Sequence, residues 1–183
     1  MLRQAALPFT KQSSWMRTLV MAICGSFLIA LFAPVAIPLP FTPVPIGLQA
    51  QVCLFLGVVF GSRIGALSVF AFILQGAMGL PVFAMGHAGI GILLGPRGGY
   101  LIGYLIAAWV AGYLVERSGS KSLRQATLAM AVGNLVIYVC GLSQLSLFVG
   151  IEKVFLLGMF PFLIGDLFKL FIANRALKTL GFI

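Results

Sequence analysis

Hydrophobic residues make up 61% of the 183-residue chain and charged residues only 8%, against roughly 45–50% and about 25% in an ordinary soluble domain. So little charge cannot cover a water-facing surface, which excludes a soluble globular domain, a disordered chain and a secreted disulfide scaffold and leaves a multipass membrane protein. The 12 basic residues against 3 acidic, a formal +9, do not mark a nucleic-acid binder, because they sit at the ends of apolar runs, where topology signals lie.

At ~20 residues per span, the chain holds six or seven spans in a single membrane domain and leaves no room for a soluble catalytic one. Residues 1–17 are polar and basic, with Arg3, Lys11 and Arg17. The apolar run 18–38 outlasts the ~7–15 residues of a signal-peptide core and ends without Ala-x-Ala. A retained first helix is predicted over 16–37, behind an N-terminal segment 1–15. Pro38, Pro40, Pro43 and Pro45 stop it, since prolines so dense cannot be helix interior.

The second helix is predicted over 47–60 and the third over 64–79. Residues 80–99 carry Gly86, Gly89, Gly91, Gly95, Gly98 and Gly99 with Pro81 and Pro96. That is too much glycine for a regular span and too apolar for a solvated loop. Non-helical backbone at membrane depth is tolerated only where protein buries it or it lines a cavity, so a lid or cavity wall is expected here. The fourth helix is predicted over 100–115, an aqueous loop over 116–125 and the fifth helix over 126–141. Residues 142–159 mix polar and apolar residues and have room for a short interfacial helix. Pro161 suits a first helical turn, which predicts the sixth helix over 161–180.

Counting lysine and arginine over these loops fixes an orientation. Arg3, Lys11, Arg17, Arg63, Arg117, Lys121, Arg124, Arg175 and Lys178 fall on one side, and only Arg97 and Lys153 on the other. The basic side is cytoplasmic, so both termini are expected there. The proline loop, the glycine-rich stretch and the segment before the sixth helix face outward.

Enzyme readings fail on this sequence. No Walker loop is present, because 119–122 (GSKS) lacks the upstream glycine. One histidine cannot build a zinc site, and Cys24, Cys53 and Cys140 lie singly in apolar runs as small hydrophobes. With Glu116 and Glu152 in loops, no paired-carboxylate site forms. No catalytic residue, metal or cofactor is expected.

The informative residues are Asp166 and Lys169, three apart on one face of the sixth helix. Ionisable residues inside a span are costly and point to function; the competing reading is a mutually neutralising pair that holds the helix in place. His87 and Arg97 flank the glycine-rich stretch. The histidine is either structural or a ligand contact, the arginine either an interfacial anchor or a charge for the site. Gln49 and Gln51 open the second helix, Asn134 lies mid-way along the fifth, where an interhelical hydrogen bond is the plain reading, and Tyr100 opens the fourth. Ala22, Ser26 and Ala30, and again Gly57, Gly61 and Gly65, space small residues by four. Such faces let a helix approach closely, whether within the bundle or from a partner.

Four runs carry a resemblance. They are 38–46 (PLPFTPVPI) followed by Gln49, 79–84 (GLPVFA), 94–100 (LGPRGGY) and 161–169 (PFLIGDLFK). In order and spacing they resemble BioY, the biotin-binding S component of energy-coupling factor (ECF) transporters. The resemblance implies an all-α S-component fold of six transmembrane helices in the bacterial cytoplasmic membrane. It also implies an outward-facing biotin pocket beneath the loops after the first and third helices, and a substrate role for Asp166 and Lys169. A small-residue stripe on the first helix, here Ala22, Ser26 and Ala30, would dock a transmembrane coupling subunit, with ATPase subunits supplying energy. Self-association is the alternative to such partners. Arg97 stands where the family usually has threonine, His87 where a small polar residue is expected, and Gly47 in place of a usual threonine.

Biotin's chemistry fits these residues. Its ureido group has two N–H donors and one carbonyl acceptor, its fused ring is apolar, and its tail is a carboxylate. Asp166 can accept and Lys169 donate; Phe41, Phe83 and Tyr100 supply walls; Gln49 and Thr42 lie in the loop motif; Arg97 or His87 favours an anion. The other functional readings are an S component for another vitamin and a membrane-embedded assembly subunit without substrate.

Overall fold

The computed structural model describes residues 15–119, 122–179 and 181. Arg3, Lys11 and Lys121, used in the charge count, lie outside them. The predicted first helix is α1, Trp15–Leu31, shorter than expected. Pro34 ends it: its ring disfavours helical backbone at Ala33 and it brings no N–H. The chain then forms a small hairpin. β1 (Ala36–Ile37) pairs antiparallel with β2 (Ile46–Gly47), Ala36 opposite Gly47, and the four prolines occupy the span between and beside them.

Next come α2 (Gln49–Phe60) and α3 (Ser62–Ala77). They are separated only by Gly61, whose φ of +87° is a conformation that side-chain-bearing residues rarely adopt. A 3-10 turn (Ala84–Gly86) and a short helix, α4 (Ile90–Leu94), make up the glycine-rich stretch. Then follow α5 (Gly98–Ser118), α6 (Leu123–Val149), α7 (Ile151–Gly158) and α8 (Phe160–Thr179).

Six longer helices thus stand where six were expected, but two boundaries besides the end of α1 moved for identifiable reasons. The polar residues after Gly141 read as a helix end, yet α6 runs on to Val149. Ser143 and Ser146 donate to carbonyls of α6 itself, a bond open to serine within a helix, and Gln144 Nε2 donates to Leu93 O and Gly95 O of the glycine-rich stretch. Nor is Glu116 part of an aqueous loop. It lies in the last turn of α5, where Oε1 accepts from Ser62 N at 2.7 Å and Oε2 from Ser62 Oγ at 2.8 Å. It caps α3 and satisfies one of the free amides at that helix start.

Among the described residues, three helical segments are long and apolar enough to cross a membrane: α5, α6 and Ile151–Thr179. Helices α1, α2 and α3 are apolar but shorter. At 12 residues, α2 spans about 18 Å, well under the ~30 Å hydrocarbon core. The hairpin before it and the Gly61 turn after it therefore cannot both lie outside that core. Irregular backbone at that depth must line protein or a cavity.

The bundle centres on α5, which packs on α2, α3 and α6. Glycines allow the closest contacts. A Cβ on Gly57 would lie 2.2 Å from Ala108 O, and one on Gly65 would lie 2.5 Å from Gly57 Cα. These two positions of the second small-residue series therefore serve internal packing. The first series turns inward as well, against the expected docking role. Ala22 and Ser26 are buried, Ser26 Oγ accepts from Gln75 Nε2 of α3 at 3.0 Å, and Ala30 packs on the cluster around Ile29 and Phe72. The exposed face of α1 is instead Trp15, Leu19, Ile23, Phe27 and Leu31. Combining Ala22→Leu with Ser26→Leu should lower bundle stability by roughly 1–3 kcal/mol through overpacking. Thermal unfolding in detergent checks this; an unchanged midpoint would return the stripe to an outside partner.

Candidate functional site

Beneath the hairpin lie two adjoining pockets, the first and second lobes of the site, that share Val44, Pro45, Gly47, Tyr100 and Tyr104 in their lining. Each lobe is partly open to the outside. The wall comes from the irregular loop on one side and the first two turns of α5 on the other, so the proline and glycine motifs and Tyr100 converge here as expected.

The second lobe is built from α6 and α8. Asp166 and Lys169 share one face of α8, with Lys169 Nζ 3.0 Å from Asp166 Oδ1. Tyr138 of α6 donates its hydroxyl to Asp166 Oδ2, so both carboxylate oxygens have partners. One turn before Tyr138 on α6, Asn134 accepts from Gln51 Nε2 at 3.4 Å, the interhelical bond expected of it. Asn134 also lines the lobe, and its own amide nitrogen has no partner among the described residues. Gln51 Oε1 is buried and likewise unpartnered.

The first lobe is lined by Gln49, Phe83, Ile92 and Arg97. Gln49 Nε2 donates to Val82 O at 3.0 Å, which fixes the loop after α3. Phe83 is 2% exposed. Its ring fills the space that Gly76 leaves open, where a Cβ would come within 2.2 Å, and meets Phe72 edge-on at 5.5 Å. Arg97 Nε donates to Pro43 O at 2.6 Å and so ties the proline loop to the start of α5. Burial lowers the Arg97 pKa from its ordinary value, but a guanidinium remains charged in a protein.

Three expected contacts are placed elsewhere. His87 is exposed and turned back on its own 3-10 turn, with Nδ1 2.9 Å from Ala84 O, and lines neither lobe. Thr42 is buried, but its hydroxyl donates to Leu157 O of α7 at 2.8 Å; it fastens the hairpin and does not face the cavity. Phe41 is 55% exposed and walls nothing. Tyr100 lines both lobes as expected, with its hydroxyl donating to Gly158 O at 2.7 Å.

Tyr104 and Tyr138 were missed. Each lies four residues after a polar candidate, Tyr100 and Asn134, and so on the same helical face. That spacing was the signal available. The Tyr104 hydroxyl has no hydrogen-bond partner among the described residues.

A bundle of apolar helices around a cavity furnished with an ion pair, a lone guanidinium, amides and tyrosines defines a membrane-embedded substrate-binding protein. Comparison with known proteins gives the same answer at finer grain. A model of the BioY family matches residues 4–181. The biotin transporter BioY of Thermotoga maritima is 39% identical over 159 residues, covering 86% of this chain and 92% of that protein. The probable biotin transporter BioY of Pyrococcus horikoshii is 42% identical over 127 residues, 69% of this chain and 74% of that one. The crystal structure of the S-component for biotin from an ECF-type ABC transporter superposes with a TM-score of 0.80 at 26% identity, over 90% of each chain. The chain belongs to the BioY family.

Proposed function

We propose that this chain captures biotin and delivers it across the membrane as the substrate-binding component of an ECF-type importer. It is a transport component and not an enzyme. The second lobe carries the reading, together with the family. There a ureido group would meet acceptors and donors in one place: Asp166, Lys169, the unpartnered amide of Asn134 and the Tyr104 hydroxyl. Tyr100, Ile137 and Phe162 offer apolar surface to the fused ring. Gln49 and Phe83 extend the site into the first lobe, and Thr42 serves it by holding the hairpin closed.

Energised uptake needs an ATPase on another chain, reached through a membrane coupling subunit; self-association of this chain is the alternative arrangement. A docking partner would meet the large apolar face of α1, since Ala22 and Ser26 point inward. The lysine and arginine count supports a six-span topology in the bacterial cytoplasmic membrane with both termini inside.

Titrating the purified chain with biotin in detergent tests the proposal. Saturable binding is expected, and Asn134→Ala should weaken it roughly three- to tenfold through the loss of one neutral hydrogen bond. Absence of biotin binding, or displacement of biotin by an unrelated vitamin at equal concentration, would overturn it.

A further inference from the structure

We infer that the two lobes read opposite ends of one ligand, and that Arg97 in the first lobe selects the free carboxylic acid over its neutral derivatives. The inference rests on the biotin reading above and adds the orientation and the specificity of the site.

Charge distribution is the argument. The second lobe is electrically balanced, because Lys169 is taken by Asp166 and the second carboxylate oxygen by Tyr138. A ligand carboxylate placed there would face Asp166. The first lobe has one charged residue, Arg97, and no acid. Glu116 caps α3 at the far end of α5, Glu152 lies exposed on α7, and Lys169–Asp166 is the only ion pair among the described residues.

Arg97 is partly buried, and its single recorded partner is Pro43 O, bonded through Nε. Both terminal nitrogens are left without partners among the described residues. A guanidinium offers five N–H donors in a planar fork that matches a carboxylate. A partly buried guanidinium with its fork open, in a lining that otherwise presents a glutamine, two tyrosines and apolar side chains, fits an anion. Tyr100 and Tyr104 line both lobes, so the two lie side by side, and we take them as the two ends of one site. Because Nε stays on Pro43, ligand held by the terminal nitrogens would also be tied to the proline loop.

The test compares biotin with biotinamide, its uncharged isostere, by titration of the purified full-length chain. Wild type should bind the amide roughly ten- to hundredfold more weakly, the range expected for losing hydrogen bonds to a charged group. Arg97→Gln should abolish that preference, with acid and amide binding the variant within about twofold of each other, and saturable binding of both reports that the variant is folded. Arg97→Lys, which keeps charge but not the fork, should fall between the two. Equal affinity of wild type for acid and amide would overturn the inference while leaving biotin capture standing. So would an equal loss for both ligands in Arg97→Gln, which would make the residue a loop tether alone. Failure of wild type to bind biotin at all would instead remove the functional reading itself.

Discussion

Replacing Lys169 by methionine should weaken biotin binding by roughly ten- to hundredfold, the loss typical of a charge-assisted contact, and should also loosen the bundle. Lys169 is 9% exposed and its Nζ is 3.0 Å from Asp166. Removing it leaves a carboxylate held only by the Tyr138 hydroxyl. Breaking a buried pair on one side typically costs about 3–5 kcal/mol, whereas replacing both charges is often neutral. Asp166→Asn should behave alike, leaving the ammonium unpaired. The double variant Asp166→Asn with Lys169→Met should therefore recover most of the lost stability, because no lone charge remains, while biotin affinity stays low. Thermal unfolding and titration on the same three proteins separate the effects. If the double variant regains wild-type affinity, the pair only fastens α8, and its substrate role is wrong.

A stability effect of similar size is expected at Gly57. Helices α2, α3 and α5 meet there backbone to backbone. A Cβ on Gly57 lies 2.2 Å from Ala108 O and 2.9 Å from Ala108 C, and Gly65 of α3 closes the other side. Neither neighbour is a side chain that could swing away. Overpacking a well-filled core costs about 1–3 kcal/mol, and more where nothing can yield. Gly57→Leu should exceed ~3 kcal/mol and depress the yield of folded protein, with Gly57→Ala milder but still destabilising. Gly165→Ala on α8 is the control, since no atom lies within 4 Å of its Cβ; there the better helix propensity of alanine should hold or raise the unfolding midpoint. A Gly57→Leu chain that unfolds like wild type would disprove the close approach.

Membrane residence, the places of the six longer helices and the loops that border the cavity follow from the sequence by itself. Their causes are local or compositional. A chain with so few charges cannot be solvated, prolines at 38, 40, 43 and 45 must interrupt helices, and glycines packed between 86 and 99 must line protein or a cavity. Asp166 and Lys169 could be paired on paper, because a spacing of three fixes their common face. Family membership was legible for the same reason: its four motifs are short and contiguous.

What the tertiary structure decided are matters of which side and which partner. Ala22, Ser26 and Ala30 share a face in any helix, but only the position of α3, with Gln75 bonded to Ser26, turns that face inward. Glu116 reads as a loop residue until Ser62, 54 positions earlier, arrives beside it. His87 and Arg97 both flank the glycine-rich stretch, yet the turn at 84–86 points the histidine outward while the start of α5 brings the arginine to Pro43 and the cavity. Tyr104 and Tyr138 join the site because α5 and α6 lie side by side. Each of these depends on where a distant helix packs, and packing is set by shape and close contact across the bundle, which local residue spacing does not encode.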